Sequence, residues 1–264
     1  MERTSAIPMI CRHPSQGQKL DVAGLNEITV LIDRSETERT EVAINSWIPG
    51  LDGPPHAHVA KEQNFLVTSG WGEVVIGADR FPAAPGDFFY LPAGVVHQTI
   101  NLNKDQRLDY FLFNAFIDAD KEGHASFAAH IDQVKATRKQ QAAQQRSDAD
   151  SALAGRAAVA RRGLRAVLPG APASGVTLVA RGDSERCEAL AWHLAAGGAA
   201  TLAPDTAKEQ TLFVFAGEGT IQVGSERTAV QPRSTVFVPR NTSATLTAAN
   251  TSSLQVISFG SIVS

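Results

Sequence analysis

Two short stretches of the sequence carry side chains that are suited to bind a metal ion. In the first, His56 and His58 are separated by one residue, so in an extended strand both imidazoles project to the same side. In the second, His97 follows a Pro-x-Gly turn at 92–94. Three imidazoles and one side-chain oxygen form a site for a divalent transition ion. The sequence therefore predicts that the two stretches meet around one metal ion.

A repeated segment indicates how these residues are positioned. The run Lys61–Val67 recurs as Lys208–Val214, at an offset of 147 residues, and the same offset relates Gly70 to Gly217. Each copy also contains short runs rich in β-branched residues, broken by turn residues, which is typical of strands in an all-β barrel or sandwich. The sequence therefore predicts two copies of one β-barrel.

The two stretches also resemble the two sequence motifs of the cupin superfamily, G(x)5HxH(x)3–4E(x)6G and G(x)5PxG(x)2H(x)3N. In the first motif, Gly50 lies six residues before His56. The second motif is matched at every fixed position, by Gly86, Pro92, Gly94, His97 and Asn101. The resemblance implies that each copy is a double-stranded β-helix, or jelly-roll, barrel and that the chain is a bicupin.

The resemblance implies a set of metal ligands as well. In cupins the two histidines and the glutamate of the first motif and the histidine of the second bind one ion inside the barrel, which gives His56, His58 and His97 here. The fourth ligand is Gln63 or Glu62. The six-residue step from Gln63 to Gly70 favours Gln63, and strand alternation places Gln63 on the face opposite Glu62. The expected ion is Mn, Zn, Fe or Ni.

The second copy lacks this chemistry. At the offset of 147 residues the three histidines become Ala203, Asp205 and Ala244, and only Gln210 is retained. One carboxylate and one amide do not hold a transition ion with useful affinity. We therefore predict an N-terminal barrel with the metal site at 1–125, a helical linker at 126–165, and a structural C-terminal barrel without metal ligands at 166–264.

The linker differs in composition from the barrels. It is rich in Ala, Gln and Arg, and Phe127, Ile131 and Val134 recur at helical spacing behind Ser126 as a helix cap. This pattern predicts one or two helices that pack weakly against a barrel. The basic residues of the linker are interleaved with acids, which indicates a solvated helix. Four further histidines fit no ligand spacing and are expected at the surface: His13, His124, His130 and His193.

Composition excludes several classes of protein. The formal net charge of −3 and the pI near 6.2 provide no basic footprint for nucleic acid. No stretch approaches the roughly 20 apolar residues of a membrane helix, and no signal peptide is recognisable. Cys11 and Cys187 are too far apart in sequence to suggest a disulfide framework. We expect a cytoplasmic protein that acts on a small molecule, and the resemblance to cupins implies a homodimer.

The fourth ligand determines the charge of the metal site. Three neutral imidazoles and a neutral amide leave the +2 of the ion uncompensated, which favours Lewis-acid chemistry on carbonyl, hydroxyl or anionic compounds, of the isomerase or lyase type. One alternative is a dioxygenase that uses Fe(II) and O2 on an enolic or phenolic substrate. A second alternative is a non-catalytic module that binds a metal or small ligand.

Several residues of the first copy are candidates for moving a proton or shaping the pocket. The candidate proton carriers are Tyr90, Tyr110, Lys61 and Glu62. The candidate apolar walls are Trp47, Trp71, Phe65 and Phe113. Asn101 is expected to order a turn and not to contact the substrate.

Overall fold

The computed structural model of the protein describes residues 7–141, 162–163 and 175–263. Strands of the first half are β1 Ile10–Arg12, β2 Gln18–Val22, β3 Asn26–Ile32, β4 Thr40–Trp47, β5 Lys61–Ser69, β6 Gly72–Ile76, β7 Asp79–Ala83, β8 Asp87–Leu91, β9 His97–Asn101 and β10 Leu108–Phe116. After helix α1 (Phe127–Gln141) come β11 Arg162–Gly163, β12 Val176–Val179, β13 Cys187–Leu194, β14 Ala199–Leu202, β15 Lys208–Gly217, β16 Gly219–Val223, β17 Glu226–Val230, β18 Thr235–Val238, β19 Ala244–Ala248 and β20 Leu254–Ile262. Short 3-10 helices lie at Pro14–Gln16, Arg34–Glu36 and Lys121–Gly123.

Each half of the chain forms a barrel from one large and one small antiparallel sheet. In the first half the large sheet has the order β11-β8-β5-β10-β4-β3-β2 and the small sheet the order β7-β6-β9. In the second half the orders are β1-β18-β15-β20-β13-β12 and β14-β19-β16-β17. The predicted all-β fold of two jelly-roll barrels joined by a helical segment is therefore confirmed.

Burial along the strands reflects the position of each sheet. In β6 the buried residues Val74 and Ile76 alternate with partly exposed ones, because one face of the small sheet is solvated. In β8 all five residues are buried. Phe89 of β8 packs inside the first barrel, whereas Phe88 packs against residues of the second. The central strands of the large sheets therefore pack against each other and are buried on both faces.

A hydrophobic core shared by both barrels joins the two halves. The rings of Phe111 and Phe213, from β10 and β15, have centroids 4.2 Å apart, and Phe259 lies 5.1 Å from both Phe111 and Phe113. Phe113 was predicted to line the metal pocket, but it is fully buried in this interface. Its position on β10 alternates with that of the pocket residues Leu112 and Asn114, which explains the difference.

The barrels also exchange edge strands. β1 belongs in sequence to the first half but pairs with β18 of the second barrel, Ile10 lying opposite Phe237. In return β11, which follows the first barrel in sequence, pairs with β8 of that barrel. The remainder of the predicted linker, 142–161 and 164–165, lies outside the described residues, as do the side chains of its basic residues from position 138 onward. The exact domain boundaries stay a prediction.

The structure explains why two positions of the repeat are glycine. Gly70 and Gly217 both have a positive φ, +75° and +80°. A Cβ at Gly70 would lie 2.2 Å from the carbonyl oxygen of Arg107, and one at Gly217 would lie 1.8 Å from that of Ser253. In both barrels the hairpin therefore requires glycine at this position.

Candidate metal centre

The backbone brings the three predicted histidines together. His56 and His97 form an isolated antiparallel bridge in which His56 N donates to His97 O at 3.0 Å and His97 N donates to His56 O at 2.8 Å. The His56 and His97 rings have centroids 4.4 Å apart, and His58 lies 4.9 Å from His56 and 5.5 Å from His97. One potential ligand atom from each ring lies within 4.8 Å of the others.

Hydrogen bonds orient two of these rings. His56 Nδ1 lies 2.9 Å from Pro54 O, and His97 Nδ1 lies 3.0 Å from Val95 O. Because a carbonyl oxygen only accepts, both Nδ1 atoms carry the proton and both Nε2 atoms keep a lone pair. His97 Nε2 is buried and makes no hydrogen bond to the described residues. A buried nitrogen that has a lone pair and no hydrogen-bond partner is suited to bind a cation.

Burial keeps the imidazoles of His58 and His97 neutral. The pKa of His58 is well below its usual range, mainly because of burial and then because of the positive charge of Lys61. The pKa of His97 is lowered in the same way, by burial and by the proximity of His56. Neutral imidazoles are the form that binds metal ions.

The structure separates the two candidates for the fourth ligand. Gln63 lines the cavity beside the histidines, and its Oε1 is buried without a hydrogen-bond partner among the described residues. Glu62 points the other way, where its carboxylate accepts from the backbone N–H groups of Glu185 at 3.0 Å and Arg186 at 2.8 Å. Only Gln63 is therefore positioned to contribute to the histidine cluster.

Two predicted proton carriers do not reach the cavity. The Tyr90 hydroxyl donates to Glu62 Oε1 at 2.5 Å, and both side chains are buried between the barrels. Burial, followed by the hydrogen bond to Glu62, raises the pKa of Tyr90. The expectation that Tyr90 and Glu62 move a proton at the metal site was therefore wrong, because alternation along β5 and β8 directs both side chains to the interface.

The other candidate residues from the sequence divide between the cavity, a turn and the exposed surface. Tyr110 lines the cavity, where its hydroxyl accepts from Asn45 Nδ2 at 2.8 Å and Trp47 Nε1 at 3.2 Å. Phe65 stacks on the Tyr110 ring with centroids 4.4 Å apart. Trp71 was predicted to form a wall, but it is 53% exposed at a turn. Asn101 orders a turn as predicted, since its Nδ2 donates to backbone carbonyl groups that include Trp47 O and Gln106 O.

The three histidines and Gln63 line a cavity of about 530 Å3. One wall is formed by α1, whose Phe127 and Ile131 are buried in the core of the first barrel. The predicted helix cap is present, because Ser126 Oγ accepts from Ala129 N at 3.2 Å. The expectation of weak packing was wrong, since α1 closes one side of the cavity.

Residues that sequence reasoning missed lie on this side of the cavity. His124 and His130 line it and are only partly exposed, so their predicted surface location was wrong. The spacing of Phe127, His130 and Val134 indicates this location of His130, because the three residues share one helix face. Glu122, which no motif identifies, also lines the cavity, and it has a positive φ of 66°.

Glu122 lies among two positively charged side chains and two imidazoles at the cavity. Lys61 Nζ donates to its Oε2 at 2.9 Å, and Arg34 Nη1 lies 3.6 Å from the same oxygen. The other oxygen, Oε1, lies 3.8 Å from His58 Nδ1, and His130 Nδ1 lies 3.7 Å from Oε2. Glu122 is the one acidic residue among the described residues that line the cavity.

The second barrel has no equivalent centre in the part of the chain that the structure describes. Asp205 occupies the place of His58, since Asn241 N donates to Asp205 O as Gly94 N donates to His58 O. The Asp205 carboxylate accepts from Ala207 N at 2.8 Å. Apolar side chains fill the interior of this barrel: Leu212, Val214, Ile221, Val236, Leu246 and Val256.

Comparisons with known proteins agree with this architecture. Residues 46–112 match the family model described as a cupin domain. No curated protein sequence matches the chain. The solved structure of protein Ylba from E. coli is 9% identical, with a TM-score of 0.69, and the match covers 99% of this chain and 96% of that one.

Two similar structures are those of enzymes. An oxalate decarboxylase variant from Bacillus subtilis is 13% identical, with a TM-score of 0.62, and the match covers 95% of this chain and 76% of that one. A salicylate 1,2-dioxygenase from Pseudaminobacter salicylatoxidans is 15% identical, with a TM-score of 0.60, and the match covers 85% and 71%. At these identities the likeness shows the fold alone. Residues 46–112 therefore form a cupin domain, and the chain as a whole has the fold of two jelly-roll barrels, the first of which contains a cluster of three histidines.

No helix in the described ranges has the length and apolar character needed to cross a bilayer. Cys11 and Cys187 are both free thiols, and Cys187 is buried at the interface of the barrels.

Proposed function

We propose that the first barrel binds one divalent transition ion through His56, His58, His97 and Gln63, and that the protein is a metal-dependent enzyme. The reaction is Lewis-acid chemistry, of the isomerase or lyase type, on a small carbonyl, hydroxyl or anionic compound. The observation that carries this proposal is a pair of buried lone-pair atoms, His97 Nε2 and Gln63 Oε1, that have no hydrogen-bond partner among the described residues and lie in a cavity that three imidazoles line.

The charges around the site support a Lewis acid. Arg34 pairs with Glu41 at 2.5 Å, and Lys61 pairs with Glu122 at 2.9 Å, so the formal charges of these four neighbours cancel. The charge of the ion is then not offset by its protein surroundings. At ~4 Å and an effective dielectric constant of about 20, each unit of charge contributes about 4 kcal/mol to the binding of an anion. A substrate with an enolate, alkoxide or carboxylate group is favoured.

A bound divalent ion would polarise a carbonyl group or lower the pKa of a coordinated hydroxyl group. Glu122 is the carboxylate placed to accept a proton from a compound in the cavity, at Oε1 or Oε2. Lys61 holds that carboxylate in position through its hydrogen bond. Tyr110 and Asn45, which also line the cavity, orient the substrate through hydrogen bonds, while α1 and Phe65 exclude water.

A dioxygenase is the second candidate function. It is favoured by the likeness of the fold to a salicylate 1,2-dioxygenase and by the aromatic wall of Phe65, Trp47 and Tyr110, against which a planar ring could pack. The absence of an anionic ligand among the four proposed residues weakens this reading, because a carboxylate stabilises a higher oxidation state. A non-catalytic binding module is the third candidate, and it predicts retention of a ligand without turnover.

Metal analysis of the purified protein, followed by oxygen-uptake assays with enolisable and phenolic compounds, tests the proposal. Zn or Mn without oxygen uptake, together with turnover of a carbonyl or hydroxyl compound, supports it. Bound Fe with substrate-dependent oxygen uptake replaces it with the dioxygenase reading. His97→Ala is the control, since it abolishes metal retention and turnover together in an enzyme but has no turnover to abolish in a binding module.

From the sequence we also propose that the ion is Mn, Zn, Fe or Ni and that the substrate is a small molecule. We further propose that the protein is a cytoplasmic homodimer.

A further inference from the structure

Four buried side chains form a hydrogen-bonded series that ends at the metal centre. Arg34 Nε donates to Glu41 Oε2 at 2.5 Å, and Asn114 Nδ2 donates to Glu41 Oε1 at 2.7 Å. Gln63 Nε2 in turn donates to Asn114 Oδ1 at 2.8 Å. The four side chains are all at most 5% exposed. Because the side chains are buried, water does not compete for the hydrogen bonds between them.

The strand ladder determines this arrangement. Asn114 on β10 lies directly opposite Glu41 on β4 and directly opposite Gln63 on β5. Opposite residues of antiparallel strands point to the same face, with Cβ atoms about 5 Å apart. The three side chains therefore form one row across three adjacent strands, on the face that lines the cavity.

The chemistry of the groups gives the series one direction. A guanidinium group only donates hydrogen bonds and a carboxylate only accepts them, so Asn114 must turn its Nδ2 to Glu41. Asn114 then presents Oδ1 to Gln63, and Gln63 must turn its Nε2 to Asn114. The atom left over is Gln63 Oε1, which is buried and unpartnered among the described residues. Reversing either amide would place two acceptors or two donors against each other.

We infer that Arg34, Glu41 and Asn114 are positioning residues that present Gln63 as an oxygen ligand. An amide can bind an ion through its oxygen but not through its protonated nitrogen, so the direction of the series decides whether Gln63 is a ligand at all. The inference rests on the proposed metal site and adds residues that neither touch the ion nor belong to a metal-binding motif. Outer residues of this kind orient ligands and tune their basicity.

The second barrel provides a natural comparison. Arg181, Glu188 and Gln210 stand at the offset of 147 residues from Arg34, Glu41 and Gln63, and Arg181 Nε still pairs with Glu188 at 3.0 Å. The residue opposite both Glu188 and Gln210 is Gly260. A Cβ there would lie 2.5 Å from Lys208 Cδ, and Lys208 Nζ donates to Glu188 at 2.6 Å. The barrel without the histidines has thus kept the Arg–Glu pair but lost the amide between the carboxylate and the glutamine.

The test measures the affinity of the full-length protein for Zn(II) and for Mn(II), by competition with a chromophoric chelator. We expect Asn114→Leu to weaken binding 10- to 100-fold. We expect Gln63→Ala to weaken it at least as much, and the double variant to bind within about threefold of Gln63→Ala alone, because Asn114 acts through Gln63. The visible spectrum of the Co(II)-loaded protein should change in the same way in both single variants. Gln210→Ala is the matched control and should bind as the wild type does.

Losses that multiply in the double variant would overturn the inference, as would Asn114→Leu binding within twofold of the wild type. If Asn114→Leu does not fold, Glu41→Gln replaces it with the same expectations, because it keeps the shape of the side chain but can both donate and accept. His97→Ala separates the two claims. If the wild-type protein binds the ion no more tightly than His97→Ala does, the metal site itself is contradicted. If His97→Ala loses binding but Asn114→Leu does not, only the positioning series is contradicted.

Discussion

Glu62 and Glu209 occupy equivalent positions in the two barrels, and each carboxylate binds the backbone of the other barrel. Glu62 accepts from the N–H groups of Glu185 and Arg186, and Glu209 accepts from those of Glu38 and Arg39, at 3.0 and 2.6 Å. The two pairs of donors are again 147 residues apart. The repeated Lys-Glu-Gln segment therefore serves two purposes, since its glutamate joins the barrels while its glutamine, in the first barrel only, faces a cluster of histidines.

Substitutions in this segment should separate stability from metal binding. Glu62→Ala removes a buried acceptor of three hydrogen bonds and should lower the free energy of unfolding by about 3 kcal/mol, while metal affinity stays within threefold. Gln63→Ala should have the larger effect on metal retention. Urea unfolding and chelator competition measure the two quantities. Glu209→Ala is the control, and it should resemble Glu62→Ala in both; a loss of metal in Glu62→Ala equal to that in Gln63→Ala would restore the carboxylate as ligand.

Glu122→Gln should remove the proposed proton acceptor and leave the ion bound. We expect kcat to fall about 100-fold, with metal affinity within threefold of the wild type. Steady-state kinetics on the compound found by the substrate screen measure the first quantity and chelator competition the second. Glu188→Gln in the second barrel is the matched control, since Glu188 is also paired with a lysine, and it should leave kcat unchanged. Unchanged turnover in Glu122→Gln would exclude the assigned role.

His130 should make the protein less stable in acid. Burial, with the charges of Lys61 and Arg34, lowers the pKa of His130 to about 2. In the unfolded chain a histidine has a pKa of about 6.5. The unfolded state therefore binds the proton first, and stability is lost as the pH falls below about 6.5, by up to about 1.4 kcal/mol per pH unit.

Urea unfolding of the metal-free protein at pH 7 and pH 5 tests this expectation. The titratable and charged groups around His130 are retained in His130→Gln: Glu122, His124, His56, Lys61 and Arg34. This variant should lose about 1 to 2 kcal/mol less than the wild type between the two pH values. Equal pH dependence in the wild type and His130→Gln would contradict the lowered pKa.

Shortening a side chain of α1 should weaken the wall of the cavity. Ile131 is 3% exposed in the core of the first barrel, so Ile131→Ala should lower the free energy of unfolding by about 3 kcal/mol. Metal affinity should change less than twofold, because Ile131 is not a proposed ligand. Asp132→Ala on the exposed face of the same helix should change stability by less than about 0.5 kcal/mol. Equal effects of the two substitutions would mean that α1 does not close the cavity.

The sequence by itself determined the number of barrels and the three histidines that cluster. The offset of 147 residues identified two copies, and the Pro-x-Gly turn with three histidines identified which copy contains the histidine cluster. The alternation of side chains along β5 placed Gln63 and Glu62 on opposite faces, and the six-residue step from Gln63 to Gly70 favoured Gln63, which the structure places on the cavity face. These are local properties, because the period of a strand is set by its own backbone.

Only the tertiary structure decided what surrounds these residues. Glu62 and Tyr90 are interface residues because a second barrel packs against their face, and His130 lines the cavity because α1 folds back onto the first barrel. The series from Arg34 to Gln63 combines residues from distant parts of the chain whose strands become neighbours only in the folded sheet. A sequence pattern records the face on which a side chain lies, but the partner on that face depends on contacts between residues that are far apart along the chain.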